Sequence, residues 1–167
     1  MTNVSAFQSV TGNNTSGPAS SVSYSGPWVA GLYFKVTAAS QFLYGFYLWR
    51  ADSSQSSSAD FALWTVTASG TGTVNAATEV TGSGFTAGNW NFVSLATPFA
   101  LTSGTTYMAV YGYTAGNFPE THGWFTTGGP GVNGYVNGPL TVFSGVSSSG
   151  GTGSKDDHPL RPLAPRL

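Results

Sequence analysis

The chain has 167 residues, of which 7% are charged, and its formal net charge is −1 at pH 7. A soluble domain usually carries about 25% charged residues, so Ser, Thr, Asn and Gly must keep this chain in solution, as in secreted modules and in proteins that assemble onto larger surfaces. The composition excludes a basic surface for nucleic acid or anionic lipid, an 18-residue apolar run that would span a membrane, and, because cysteine is absent, disulfides and thiolate metal sites.

The first residues, Met-Thr-Asn-Val-Ser, have neither the cationic nor the apolar region of a secretory signal. The chain therefore combines an extracellular composition with no visible export signal. A phage virion protein, which is assembled inside the host and released by lysis, reconciles the two observations. We therefore expect a location in the virion, and a secreted, extracellular protein whose signal has been removed is the alternative.

Strand patterns dominate the chain. Residues 28–37 alternate with a period of two and predict a strand with one apolar face. Residues 42–49 are apolar on both faces, which indicates either a central strand covered on both sides or a strand whose outer face meets a partner. The other predicted strands are 61–67, 90–96 and 105–113, with shorter ones at 6–10, 74–80, 123–126 and 140–146.

The predicted fold class is all-β. No ten-residue stretch shows helical periodicity free of glycine or β-branched runs, and clusters of Gly, Asn and Ser separate the strands. About eight or nine short strands at this spacing indicate an antiparallel jelly-roll-like β-sandwich. The predicted domain covers residues 1–146, followed by a Gly/Ser linker at 147–154 and a Pro/Leu-rich extended arm at 155–167.

The arm holds five of the eleven charged residues of the chain. Its sequence from residue 158, His-Pro-Leu-Arg-Pro-Leu-Ala-Pro-Arg-Leu, cannot form a helix or a central strand. It is able to lie along another molecule in the polyproline conformation, and a disordered terminus is the alternative. The predicted partner-binding residues are Leu160, Arg161, Leu163, Arg166 and Leu167.

Three segments resemble an uncharacterised family of bacterial β-sandwich modules, a domain of unknown function. Residues 25–34 (SGPWVAGLYF) are similar to its first long strand, residues 88–99 (GNWNFVSLATPF) to its GxW…V…TP segment, and residues 101–111 (LTSGTTYMAVY) to its LxxGTTYxxxY motif. Family members occur with secreted glycosidases, in surface repeat proteins and in actinobacterial phage proteins. The chain departs from the pattern at residues 48–50, where family members tend to have a basic residue followed by glycine. The resemblance implies a jelly-roll-like fold and an accessory role, and it supplies neither a defined activity nor catalytic residues.

One face of the strand that follows this motif carries Tyr107, Ala109, Tyr111 and Tyr113. Such a tyrosine stripe serves either as a stacking platform or as part of the core, with hydroxyls that reach the rim. We favour the core.

The residues available for catalysis are few. Glu120 and His122 are two apart, so a strand would place both on one face as half of a metal site. A third ligand would have to come from Asp52, Asp60 or Glu79, none of which is near in sequence. The favoured interpretation is an exposed loop pair. Neither a nucleophile elbow nor a phosphate-binding loop is present, so we predict no enzyme, no cofactor and no metal.

The predicted function is a non-enzymatic structural or accessory protein of a phage particle. It would decorate the capsid, with the tail surface as the second choice, and bind capsid or tail proteins of the same virion through the arm and an aromatic-rich face. A homo-oligomer is expected, and a trimer would suit this role.

The alternative is a carbohydrate-binding or adhesion module of a secreted or cell-surface protein that recognises a cell-surface glycan. Its stacking residues would be Trp49, Phe118, Trp124 and Tyr135, because they lie near segment ends or in loops. An enzyme that uses Glu120 and His122 is the third interpretation.

Overall fold

Most of the residues that the computed structural model describes, which are 20–22, 27–67, 72–113, 118–120 and 135–149, lie in strands. The elements are β1 (Ser20–Val22), β2 (Trp28–Val36), β3 (Gln41–Arg50), β4 (Ser58–Val66), β5 (Gly72–Val74), a 3-10 helix (Ala76–Thr78), β6 (Val80–Ser83), β7 (Asn89–Leu101), β8 (Thr106–Tyr113), β9 (Phe118–Glu120), β10 (Tyr135–Asn137) and β11 (Leu140–Ser149). Every strand pair among these residues is antiparallel. The all-β prediction is confirmed. The described residues contain eleven strands, more than the eight or nine predicted, because several of the strands are only three residues long.

The strands form one large sheet and two ribbons. The seven-stranded sheet has the order β10-β11-β2-β8-β4-β5, and β6 also pairs with β4. Strands β3 and β7 pair with each other as the β3–β7 ribbon, and β1 pairs with β9. Consecutive strands β2 and β3 therefore belong to different layers, as in a sandwich.

The main core lies between the seven-stranded sheet and the β3–β7 ribbon. Phe46 of the ribbon stacks on Phe61 of β4, with ring centroids 5.3 Å apart. Within the sheet, Phe34 stacks on Tyr107 at 5.8 Å. Full burial of one such side chain stabilises the fold by about 1.5–3 kcal/mol, so the ribbon is held to the sheet mainly by aromatic and aliphatic packing.

The seven-stranded sheet buries apolar residues on its second face as well. This second cluster contains Val29, Ala62, Trp64, Met108 and Val110. The prediction of one apolar face for residues 28–37 is therefore wrong, because Val29 is 1% exposed and Tyr33 packs against the second cluster.

The tyrosine stripe of β8 belongs to the core, as predicted. Tyr107 and Tyr113 are buried, and Tyr111 packs against the main cluster. Burial raises the pKa of the Tyr113 hydroxyl, which has no hydrogen-bond partner within the described ranges. This hydroxyl therefore stays protonated at neutral pH.

The predicted strand at 74–80 is wrong, because the 3-10 helix interrupts it between β5 and β6. Asn75 and Thr78 hold this turn against the backbone of Leu63. The Asn75 amide donates to the Leu63 carbonyl at 2.9 Å, and the Leu63 N–H donates to the Thr78 hydroxyl at 2.9 Å. These two side chains take the place of the backbone hydrogen bonds that a neighbouring strand would make with Leu63. Strand β4 therefore pairs with β5 on one side of Leu63 and with β6 on the other.

The last strand is longer than the predicted strand at residues 140–146. β11 runs to Ser149, and residues 147–149 of the predicted linker pair with residues 28–30 of β2. Serine is tolerated at these positions because the backbone of β2 continues to pair with β11. The predicted strands at 6–10 and 123–126 and the arm at 155–167 lie outside the described residues. No helix in the described ranges is long and apolar enough to cross a bilayer.

Candidate binding surface on the β3–β7 ribbon

The outer face of the β3–β7 ribbon is aromatic. Strand alternation turns Phe46 and Leu48 of β3 and Val93 of β7 toward the core, where all three are buried. Their neighbours in sequence consequently point outward, where Tyr47 is 56% and Phe92 49% exposed. The outward side chains, which we call the aromatic face, are Phe42, Tyr44, Tyr47 and Trp49 of β3 and Trp90 and Phe92 of β7.

The six rings of the aromatic face contact each other in three pairs. Tyr47 and Phe92 are register partners across the ribbon, with ring centroids 4.7 Å apart, and Trp49 and Trp90 are partners at 5.7 Å. The third pair, Phe42 and Tyr44, has a centroid distance of 6.4 Å. The angles between ring planes are 41°, 58° and 51°, respectively. The rings support one another, and because their planes are inclined they form an uneven surface and not a flat one.

Gly45 allows the ring of Phe92 to lie against the backbone of β3. A Cβ atom at Gly45 would be 2.7 Å from Cζ of Phe92 and 2.2 Å from the carbonyl oxygen of Val93. The register of the ribbon also shifts here, from Leu43 opposite Phe99 to Gly45 opposite Ser94. Bulges of this kind redirect side chains, and this one keeps aromatic residues on the outer face along β3.

Arg50 is the one charged residue in the sequences of β3 and β7. Its guanidinium donates from Nη1 to the Phe85 carbonyl at 2.6 Å, and from Nε and Nη2 to the Gln55 carbonyl at 3.2 and 3.1 Å. The backbone N–H of Ala51 donates in turn to the side-chain oxygen of Gln55. The hydrogen bonds of the Arg50 guanidinium therefore hold the loop after β3 in place. The aromatic face itself is uncharged.

Replacing Arg50 with lysine is expected to lower the free energy of unfolding by about 2 kcal/mol, because a single ammonium group cannot reproduce three bonds from a planar guanidinium. Urea unfolding followed by circular dichroism measures this change. The exposed Lys35 provides the control: Lys35→Met should leave the midpoint nearly unchanged. Equal midpoints for the two variants would contradict the role of Arg50 in closing the loop.

A carboxylate lies beside one end of the aromatic face. Asp52, in the loop that follows β3, is exposed, and its Oδ1 accepts hydrogen bonds from the hydroxyl of Ser54 at 2.5 Å and from the Ser54 N–H at 2.8 Å. These two bonds hold the pKa of Asp52 below its usual value. Asp52 is therefore ionised at neutral pH and provides a negative charge three residues after Trp49 in the chain.

A groove of about 430 Å³ separates β6 from β7 beside the aromatic face. Phe85 and Val93 form apolar parts of its lining, Phe92 stands at the border with the aromatic face, and Ser83 and Ser94 bring exposed hydroxyls. The amide of Asn91, which also lines the groove, is used to hold the turn before β7: its Oδ1 accepts from the Thr86 N–H at 2.7 Å. The groove is therefore polar at its rim and uncharged.

The structure places only part of the sequence-predicted sites. Trp49 lies on the aromatic face next to Trp90. The backbone of Phe118 belongs to β9 and that of Tyr135 to β10. Strand β10 is an edge strand of the seven-stranded sheet and is not part of the ribbon. The side chains of Phe118 and Tyr135 are outside the described residues. Trp124 is outside them too, as are the predicted arm residues Leu160, Arg161, Leu163, Arg166 and Leu167.

Sequence reasoning missed five of the six residues of the aromatic face. The signal was present in the two-sided apolar pattern of residues 42–49 and in the alternation of Trp90 and Phe92. Neither signal identifies the outer face until the partner strand is known.

The structure gives no support to a catalytic or metal site in the residues it describes. Glu120 ends β9, and His122 is outside the described ranges. Across those ranges no three Asp, Glu or His side chains come together. Asp60, one of the possible third ligands, accepts a hydrogen bond from the Thr81 hydroxyl at 2.6 Å.

Comparison with known proteins finds one family. The family model described as "Domain of unknown function (DUF4082)" matches residues 14–160. No curated protein and no solved structure matches the chain.

Proposed function

We propose that this chain, which belongs to the family of unknown function, is a non-enzymatic accessory protein of a phage particle that docks onto another protein. The aromatic face is the observation that carries the proposal. It leaves Phe42, Tyr47 and Phe92 between 46% and 56% exposed in a ribbon whose single charge is used internally. Exposed apolar patches of this kind mark interaction sites in soluble proteins.

The tilt of the ring pairs favours a protein as the partner. A flat polysaccharide surface would need coplanar rings, whereas these pairs are inclined by 41–58°. An uneven surface of inclined rings suits the side chains of a protein partner, and interface cores are rich in aromatic residues and poor in charge. Tyr and Trp are also the residues most often found to dominate binding energy.

The composition supports a place on the virion. The part of the chain before residue 150 has only six charged residues. Such a composition suits a crowded assembly in which polar, uncharged side chains are exposed to solvent. Decoration of the capsid is the first choice and the tail surface the second. The predicted arm would add a second attachment point.

Co-sedimentation with capsids prepared without this protein tests the proposal. We expect the wild-type chain to pellet with the capsids and the Tyr47→Ala variant to bind about tenfold or more weakly, because a central aromatic anchor is lost. Phe143→Ala is the matched control, since Phe143 is 41% exposed on the seven-stranded sheet and not on the ribbon. Failure of the wild-type chain to bind capsids or tails would overturn the proposal.

A carbohydrate-binding or adhesion module is the second candidate function. The Trp49–Trp90 pair and the groove with the Ser83 and Ser94 hydroxyls favour it, because sugars are bound by stacking on rings and by hydroxyl hydrogen bonds. Titration with cell-wall polysaccharides tests this idea, with Trp49→Ala as the variant expected to lose binding. No heat of binding with millimolar saccharide would remove it.

A further inference from the structure

We propose that residues 158–167 of one copy bind the aromatic face of a second copy. The inference rests on the proposed function in one respect, since it treats the aromatic face as a protein-docking surface. It goes further by identifying an occupant of that surface within this chain for copies that are free in solution, an occupant that the capsid or tail protein displaces when it docks.

The segment has the spacing of a polyproline ligand. Pro159, Pro162 and Pro165 recur at every third residue, and Leu160 and Leu163 have the same spacing one position later. A polyproline II helix has three residues per turn. In that conformation the prolines line one edge and the two leucines line the next.

The aromatic face has the properties of a receptor for such a helix. Pro-rich segments dock onto surfaces lined by aromatic side chains, and the inclined pairs Tyr47–Phe92 and Trp49–Trp90 form an uneven aromatic surface of this kind. From Phe42 to Trp49 the face extends about 23 Å along β3 at about 3.3 Å per residue. Ten residues of polyproline helix span about 31 Å, so one segment covers the whole face.

The charges of the two surfaces are complementary. The segment carries Arg161 and Arg166 and no acidic residue. The aromatic face is uncharged, and the ionised Asp52 follows Trp49 in the loop after β3. Arginine also binds favourably over the faces of Trp and Tyr rings. An Arg–Asp52 contact at the exposed end would set the direction of the segment more than its affinity.

The topology favours a contact between copies. The segment follows β11, which belongs to the seven-stranded sheet, whereas the aromatic face points away from that sheet on the far side of the ribbon. A segment from one side and a receptor face on the other form a head-to-tail contact. Repeated contacts of this type close into a ring, such as a trimer, where the rotation allows it.

Sedimentation velocity of the full-length chain tests the inference. We expect association to increase with concentration, and to be lost in two full-length variants: the arm variant, in which Pro159, Pro162 and Pro165 are replaced by alanine, and the face variant Tyr47→Ala. Phe143→Ala should associate like the wild type. Equal melting temperatures of the variants and the wild type, measured at a concentration at which the wild type is monomeric, would show that folding is intact.

Mixing the two defective variants separates a contact between copies from one within a copy. The arm variant keeps an intact face and the face variant keeps an intact arm, so the mixture should form a heterodimer although neither variant associates alone. A fluorescent peptide of residues 155–167 should bind the full-length arm variant about tenfold or more tightly than a double variant that also carries Tyr47→Ala.

Three results would overturn the inference: a wild-type chain that stays monomeric at every concentration, an arm variant that associates normally, or a mixture that forms no heterodimer. None of them depends on capsids. Loss of capsid binding with arm-dependent association retained would overturn the proposed virion function alone.

Discussion

Replacing Phe61 with alanine is expected to lower the free energy of unfolding by about 3–5 kcal/mol. Phe61 lies in β4 and is 2% exposed. Its ring contacts those of Phe46, Phe85 and Tyr111, with centroid distances of 5.3, 6.3 and 6.5 Å. These rings come from both layers of the sandwich, so no single strand can move inward to fill the cavity.

Denaturant unfolding gives the measurement for Phe61, with linear extrapolation to water. Phe42→Ala is the matched control, because the same atoms are removed from a ring that is 46% exposed on the aromatic face. It should cost less than about 1 kcal/mol. Similar costs for the two variants would show that the ribbon does not pack on β4 as described.

Replacing Gly45 with valine is expected to cost about 3 kcal/mol, at the upper end of the range for overpacking. The first added carbon would lie 2.2 Å from the carbonyl oxygen of Val93, which belongs to the paired strand and cannot rotate away. The ring of Phe92, with Cζ at 2.7 Å, would also be displaced. The substitution should therefore reduce both stability and binding through the aromatic face.

Thermal unfolding measures the stability change at Gly45, and the chemical shifts of its Hα protons measure the contact with Phe92. In the wild type, the ring of Phe92 should shift these protons from their random-coil values, and Phe92→Leu should abolish that shift. Ser94→Ala is the control, because Ser94 is exposed and pairs directly with Gly45. If Gly45→Val unfolded at the wild-type temperature, the close approach of the two strands would be contradicted.

The two largest effects have different consequences for function. A cavity at Phe61 weakens the whole sandwich, whereas a side chain at Gly45 acts directly on the surface that we propose to bind the partner. A variant such as Tyr47→Ala, which removes an exposed ring, should leave stability almost unchanged. Loss of binding without loss of stability is therefore the expected signature of the aromatic face.

The long strands could be predicted from the sequence because each has a local cause. Residues 28–37 and 105–113 contain alternating, β-branched and aromatic side chains that favour an extended backbone, and β2 and β8 form there. The 3-10 helix at 76–78 could not be predicted in this way. Asn75 and Thr78 form it by bonding to Leu63, more than ten residues away, and a local pattern contains no information on that contact.

The candidate site likewise has one part that the local sequence predicts and another that depends on distant residues. Trp49 could be selected from the sequence because it is an aromatic residue near the end of a strand. Its neighbour Trp90 lies 41 positions later in the sequence. Only the pairing of β3 with β7 brings the two rings to 5.7 Å.

The amino-acid sequence by itself determined the all-β class, the scarcity of surface charge and the presence of two apolar faces on residues 42–49, because composition and a period of two are local properties. Only the tertiary structure decided which of those faces is covered. Phe46 and Leu48 are buried against the seven-stranded sheet, and Tyr47 is left exposed. The physical reason is that one sheet can cover only one side of a two-stranded ribbon, and the side it covers depends on contacts between residues far apart in the chain.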